Sequence, residues 1–301
     1  MGKLPTMRSD KSEILPYNFK NYFVFIGTER LSDHPNRCMF NHWHDDLEIV
    51  IPIQGNMVYN INGDLIRLEP GKGVFVNSNQ IHYGFSPDDS DCVFIYALWH
   101  PMLLCATNEI ESEYVNPIVK NSSIPYLKLN VQCDWHHSLM DDVLKMHEQL
   151  SERAAPLVLQ SYIFDIWHTI FVNTTQERKR SASVSPQLSI LKDMLSFIHD
   201  GYHEKMTLNE IADSGNISIS NCNVIFKKYL KESPIKYLLN YRLMKSTELL
   251  ISSAMPITEV AFEVGFSNPS YYIDAFKKAY GNTPNDYRKK HRKADVFEEY
   301  T

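Results

Sequence analysis

No stretch of this 301-residue chain is apolar for the ~20 residues a membrane span requires. No apolar segment follows Met1 as a secretory leader would. A secreted or membrane-spanning protein is therefore not expected, and the expected compartment is a reducing cytoplasm. Cysteine is scarce: Cys38, Cys92, Cys105, Cys133 and Cys222 are odd in number, dispersed and without CxxC spacing. That argues against a disulfide framework and a cysteine-based zinc cluster. Positive charge is also short. The chain has 30 Lys+Arg against 36 Asp+Glu, a net charge of −6, which taken whole argues against a nucleic-acid partner.

The distribution of charge changes that inference. Residues 191–293 carry 15 Lys+Arg and 11 Asp+Glu, a balance of +4. Residues 1–190 carry 15 and 22, a balance of −7, and the tail 294–301 adds three acids. An acidic front is joined to a mildly basic back, and the length suits two domains.

The basic part repeats itself. Phe226-Lys227-Lys228, Ser233-Pro234 and Tyr237 return as Phe276-Lys277-Lys278, Thr283-Pro284 and Tyr287, each at an offset of 50. A repeat of this period is one supersecondary unit used twice. Each copy, at about 207–229 and 256–279, reads as helix, tight turn, helix. Thr207 and Glu210 form a capping box, Asn216 and Gly265 suit left-handed turn positions, and Asn268-Pro269 starts a helix. The second helix of each copy has two faces. Cys222, Ile225, Phe226 and Tyr229 point inward in the first; Tyr272, Ala275, Phe276 and Ala279 do so in the second. The opposite faces carry Ser220, Asn223, Val224 and Lys227, and Ser270, Ile273, Asp274 and Lys277. Short polar groups and lysines at these positions suit base edges and phosphates in a major groove. Asn221, Lys228, Tyr271 and Lys278 complete the candidate DNA-binding set. A solvated helix face is the plainer alternative for either helix alone.

Arg242-Leu243, Ser246, Leu249-Leu250, Ile257, Val260-Ala261, Val264-Gly265-Phe266, Ser270-Tyr271-Tyr272, Phe276-Lys277-Lys278, Gly281, Thr283-Pro284 and Tyr287-Arg288 together resemble the AraC/XylS transcription regulators. The resemblance covers roughly 188–292. It implies two helix-turn-helix units joined by a long helix, here 235–250 with Leu239, Leu243, Ser246 and Leu250 on one stripe. The recognition helices would then enter successive major grooves of double-stranded DNA, roughly one helical turn (~34 Å) apart. Three residues depart from the usual pattern. Asp274 stands where a basic or polar residue is common; it can accept from a cytosine amino group or sit against Lys277 or Lys278. Gly215 replaces an apolar residue and is expected to loosen the first turn. Cys222 replaces a larger aliphatic and reads as a small buried hydrophobe.

The front half reads as short strands with turns, a sandwich or small barrel. The first 15 residues look like a loose arm, and 23–26 a first strand. Residues 57–61 and 65–68 meet across Asn62-Gly63-Asp64 as a hairpin. His42-x-His44-x3-Glu48-x6-Gly55, then Gly71-x5-Asn77-x-Asn79-x2-His82, resembles the two cupin motifs, with Asn77 and Asn79 standing where Pro and Gly are preferred. His42 and His44 would share one face of a strand. With Glu48 and His82 they converge on three open readings: a metal-free effector pocket, a metal site, or structural histidines. No catalytic residue is assigned; a metallo-cupin enzyme is the remoter alternative. Asp45 and Asp46 read as a solvated turn. Trp43 and Trp99, if inward, can stack on a sugar ring, though such residues more often form core.

Residues 139–150 and 157–172 read as two helices. The family resemblance makes them a homodimer interface packed on the barrel, against the alternative of a helix pair that simply covers the sheet. Residues 174–187 are polar and Ser-rich, an interdomain linker whose Arg178-Lys179-Arg180 can touch phosphate. The expected protein is α+β with two domains. A cupin-like effector barrel spans 1–136, a helical pair 137–173, a linker 174–187 and an all-α double helix-turn-helix domain 188–292. The resemblance implies a transcription regulator, by family habit an activator, that meets RNA polymerase and responds to a small molecule such as a sugar. No resident cofactor is expected unless the histidine cluster holds a divalent metal.

Overall fold

The computed structural model describes residues 6–7, 13–174 and 186–298. The chain divides into two compact units between Pro186 and Gln187.

The front unit contains β1 (Thr6–Met7), β2 (Glu13–Ile14), β3 (Val24–Arg30), β4 (Leu47–Gly55), β5 (Met57–Ile61), β6 (Asp64–Leu68), β7 (Lys72–Val76), β8 (His82–Phe85), β9 (Cys92–Trp99) and β10 (Tyr126–Asn130). β1 pairs with β2; the others form a five-stranded sheet, β10-β7-β4-β9-β3, and a three-stranded sheet, β6-β5-β8. The β5–β6 hairpin closes on Asn62 (φ 52°) and Gly63 (φ 93°). Two successive left-handed residues give the turn whose twist matches that of the flanking strands.

Strand alternation sorts β4 into two faces. Leu47, Ile49 and Ile51 join Phe75, Ile95, Ala97 and Trp99 in a core covered by α3 (Asp134–Glu148) and α4 (Ala155–Asn173). Val50 faces the other way, packing with Val74, Val76 and Phe94 against Tyr59, Ile61, Ile66 and Leu68 of the smaller sheet. Glu48 shares the pleat of Val50, so β4 delivers a carboxylate between the two sheets.

Several boundaries differ from the sequence reading. β10 was not anticipated, nor were the short helices α1 (Asn108–Ile110) and α2 (Asn116–Val119). β10 carries only five residues and is held by pairing with β7, a tertiary contact without a strong local pattern. α3 starts at Asp134, ahead of the apolar stripe that marks it. The expected linker is trimmed at both ends. Thr174 is buried and bonds back to the Ile170 carbonyl at 2.8 Å, while Pro186 and Gln187 open the next helix. Arg178-Lys179-Arg180 lies outside the described residues, as does most of the N-terminal arm.

The back unit is helical: α5 (Pro186–Gly201), α6 (Leu208–Ser214), α7 (Ile219–Leu230), α8 (Pro234–Ser252), α9 (Ile257–Glu263), α10 (Pro269–Tyr280) and α11 (Pro284–Glu298). Its starts are set by local chemistry. Thr207 and Glu210 make the reciprocal capping box, Ser218 caps α7, Ser233 caps α8 and Asn268 caps α10. Asn216 (φ 53°) and Gly265 (φ 88°) occupy the two tight turns. α8 lies between the copies, and two arginines tie the segments that lead into them. Arg242 donates to the Tyr202 and Glu204 carbonyls, both at 2.7 Å. Arg288 donates to the Leu250 and Met255 carbonyls at 3.1 and 2.6 Å. His199 is buried, stacked on Tyr241 and 2.6 Å from the Tyr237 hydroxyl, which fastens α5 to α8.

Gly215 does not loosen its turn. A Cβ there would lie 2.9 Å from Met194 Cγ and 3.0 Å from Ile190 Cγ2, so glycine lets α5 pack close. Gly265 is more constrained still. Its φ is left-handed, and a Cβ would sit 2.5 Å from the Tyr202 carbonyl oxygen that Arg242 holds. Gly281 has φ 71° with nothing near an added Cβ. Gly265→Ala is expected to destabilise the back unit by more than the ~1 kcal/mol cost of left-handed backbone alone, and Gly281→Ala by about that cost only. Urea melts of the two full-length variants would check the order.

Candidate effector site and DNA-reading face

Four side chains converge inside the front unit. His42 and His82 form an isolated antiparallel bridge, with backbone bonds of 3.2 and 3.0 Å in the two directions. His44 lies in the segment between that bridge and β4, not on a regular strand with His42 as the spacing had suggested. Glu48 comes from β4 and His82 opens β8. His42, His44, Glu48 and His82 are 8, 1, 4 and 1% exposed, so they are shielded from bulk solvent.

Each imidazole is anchored in the same way. Nδ1 of His42 meets the Phe40 carbonyl at 2.9 Å, Nδ1 of His44 the Asp46 carbonyl at 3.1 Å, and Nδ1 of His82 the Gln80 carbonyl at 2.8 Å. A carbonyl can only accept, so each Nδ1 carries the proton, and in the neutral ring Nε2 is a bare acceptor. Glu48 Oε2 lies 2.8 Å from His82 Nε2 and 3.7 Å from His44 Nε2. The three histidines each bring a ring nitrogen within 4.8 Å of the others.

Burial fixes the charge states. It lowers His42 to about 4, helped by His82, and holds His44 well below the ordinary imidazole range. Burial alone would raise Glu48, but the neighbouring histidines, His82 first, hold it at about 2. At neutral pH His42 and His44 are uncharged and Glu48 is a carboxylate. Such a set stabilises little by itself, because buried polar atoms without donors cost free energy. It is chemically prepared to accept: hydroxyl donors of a ligand, or a cation.

Other residues shape the surroundings. The Tyr59 hydroxyl donates to Glu48 Oε1 at 3.3 Å, and its ring stacks near His82. Tyr59 was not anticipated; its inward position on β5 becomes visible only once the sheets face each other. Asn77 donates to the Ile118 and Ile124 carbonyls at 2.8 and 2.9 Å, holding the segment beside β7. Asn79 takes φ 64° and donates to Asp45 at 2.8 Å, which explains how it stands in for glycine. Asp46 is not a solvated acid. It is fully buried and accepts from the Tyr17 hydroxyl at 3.0 and 3.2 Å. Trp43 is buried, whereas Trp99 belongs to the core beneath the helices, away from a stacking role.

In the back unit the inward stripes are as expected for α7, where Cys222, Ile225, Phe226 and Tyr229 are buried. Burial pushes the Cys222 thiol up to about 11, which suits a packed hydrophobe rather than a redox group. Ser220, Asn221, Val224, Lys227 and Lys228 are exposed, and so are Ser270, Tyr271, Asp274, Lys277 and Lys278. Asn223 is half-buried and donates to the Ile219 carbonyl at 3.0 Å. Lys228 is engaged with Gln187 at 2.8 Å. Ile273 is not on the outer face; it packs against the core with Ala275 and Ala279.

A two-domain chain with a buried polar cluster in front and duplicated helix-turn-helix units behind is a ligand-responsive DNA-binding regulator in class. Comparison with known proteins places it further. A family profile described as an AraC-like ligand binding domain matches residues 25–166, and one described as a helix-turn-helix domain matches 211–290. The HTH-type transcriptional regulator YdeC of Bacillus subtilis is 32% identical over 251 residues, covering 82% of this chain and 85% of that protein. The melibiose operon regulatory protein of Escherichia coli is 23% identical, covering 85% of each. The structure of ToxT from Vibrio cholerae with unsaturated fatty acid bound aligns over 90% of this chain at 13% identity and a TM-score of 0.47. The chain belongs to the AraC family of transcription regulators. No helix among the described residues is long and apolar enough to cross a membrane.

Proposed function

We propose that this regulator is a cytoplasmic activator whose front unit binds a small polar molecule, of the sugar class, at His42, His44, Glu48 and His82, with Trp43 beside them. The observation that carries this reading is that three acceptor atoms buried between two sheets, His44 Nε2, His82 Nε2 and Glu48 Oε2, have no hydrogen-bond donor within the described residues. Hydroxyl groups of a sugar are donors of the right kind. The name of the melibiose operon regulatory protein supports the choice of sugars. No chemical step is needed: a ligand that prefers one of two states shifts their populations by its differential affinity. The output is altered operator occupancy and, with it, recruitment of RNA polymerase.

Dimerisation supports such a switch, because two copies read two half-sites. On α4, Leu157, Phe164 and Val172 are 77, 42 and 49% exposed along one stripe. A second copy of the chain is the occupant proposed for it. Phe164→Asp is expected to convert a dimer to a monomer in sedimentation without lowering the melting temperature; an unchanged sedimentation profile would remove this face from consideration.

Melting of the full chain against a sugar panel tests the effector reading. A saturating ligand at 100 times its Kd adds about 2.7 kcal/mol, and the rise is expected to vanish in His82→Ala. If no sugar raises the transition, the effector class is wrong.

For the DNA face, Lys227 is exposed and Asn223 sits on the same helix near its start. Lys227→Ala is expected to weaken binding to all duplexes and to flatten the salt dependence. Asn223→Ala is expected to cost roughly 1–3 kcal/mol at a single base pair. Equal loss on every single-base operator variant would place the reading face elsewhere.

A further inference from the structure

The two helix-turn-helix copies meet at one side chain. Arg242 projects from α8, its Nε donating to the Tyr202 carbonyl and its Nη2 to the Glu204 carbonyl, both at 2.7 Å. Those carbonyls lie on the connection from α5 to α6, just ahead of Thr207, which caps the first copy. The same guanidinium underlies the turn of the second copy. A Cβ on Gly265 would lie 2.9 Å from Arg242 Nε, 3.0 Å from Nη2 and 2.5 Å from the Tyr202 carbonyl oxygen. After that turn Phe266 is buried in the second copy's core, and Asn268 caps α10. Tyr202 packs against this core too, and meets the Tyr241 ring of α8 edge-on at 5.2 Å. The approach to the first copy, the helix between the copies and the turn of the second therefore converge on one half-buried guanidinium. Arg288 offers a contrast. It also spans two carbonyls, but its acceptors, Leu250 and Met255, lie on the approach to the second copy alone.

We infer that Arg242 is a positioning residue for DNA reading: it locks the two copies together and so fixes the separation and rotation between α7 and α10. The inference rests on reading the outer faces of those helices as the DNA contacts; Arg242 acts through them. A planar fork bonded to two carbonyls fixes orientation as well as distance, which a single-point ammonium does not. Gly265, packed against both the fork and one of its acceptors, leaves the second copy no room to shift. Two modules held at the separation of their sub-sites bind the second as if it were highly concentrated, and a loose joint forfeits that gain. Loss of the fork therefore weakens the reading of two adjacent grooves together and leaves the reading of either groove alone as it was. It also relaxes the demand for one spacing between the two sub-sites.

The test uses the full-length protein, which first selects its site from random duplex DNA. Binding is then measured at low salt to three duplexes. One is the selected site and one keeps only the α7 sub-site. The third has one base pair inserted between the sub-sites, which moves the second groove by about 3.4 Å and turns it by about 35°. Wild type is expected to lose roughly 100-fold on the insertion, within the range a rigid linkage supplies. Arg242→Gln is expected to bind the selected site about tenfold more weakly, the single sub-site as wild type does, and the inserted site with only a few-fold further loss. Arg242→Lys, which keeps the charge without the fork, should fall between the two. Arg288→Gln should keep the wild-type insertion penalty even where its melting temperature falls. Either Arg242 variant retaining the full insertion penalty would overturn the proposal, and so would equal losses on the single sub-site and the selected site. A wild type indifferent to the insertion would overturn it as well. Base changes beneath α7 that leave affinity unchanged would overturn the assignment of the reading face, and the proposal with it.

Discussion

Strand β4 is paired on both edges, Glu48 opposite Val76 of β7 and opposite Leu98 of β9. A slip of one residue would turn Leu47, Ile49 and Ile51 out of the helix-covered core. That apolar face therefore fixes the register, and the register puts the Glu48 carboxylate between the sheets. Its ionisation there depends on the histidines around it, and the histidines depend on three backbone carbonyls for orientation. The free energy that holds these polar groups in place comes from the apolar cores on either side, where each fully buried large side chain contributes about 1.5–3 kcal/mol.

The back unit solves a different problem with the same economy of parts. Seven-residue helices such as α6 and α9 are too short to be stable alone. They persist because caps satisfy their ends and because α8 runs between the two copies. Arg242 and Arg288 do for the two approach segments what a short turn does elsewhere, satisfying carbonyls that would otherwise be left at helix ends. The outer faces of α7 and α10 are left free of core duties, apart from Ile273, and so can carry short polar groups and lysines.

Features set by local chemistry were legible in the sequence. The Asn62-Gly63 turn, the Thr207–Glu210 capping box and the left-handed Asn216 and Gly265 all follow from what a few adjacent residues permit. The duplicated helix-turn-helix units and the spacing of His42, His44, Glu48 and His82 were legible for the same reason. Features set by distant partners were not. Asp46 looks like a surface acid until Tyr17 is placed on it from 29 residues away. Gly215 looks like a weak point until α5 is packed against it. Tyr59 looks like one more strand aromatic until Glu48 is found facing it, and β10 has no identity apart from its pairing with β7. Asn79 lay between the two: its tolerance of φ 64° is a property of asparagine, but the need for that φ is a property of the fold.

The central claim is that the buried cluster exists to receive a ligand and not to hold the fold together. Urea unfolding of the chelated full-length chain, comparing wild type with the combined variant His44→Leu, Glu48→Leu, His82→Leu, tests it most directly. Replacing a whole buried polar set by apolar residues is often neutral or stabilising, whereas removing one partner alone strands the others. The account predicts a front-unit transition at or above the wild-type midpoint in the combined variant. A clear loss of stability there would contradict it and make the cluster structural.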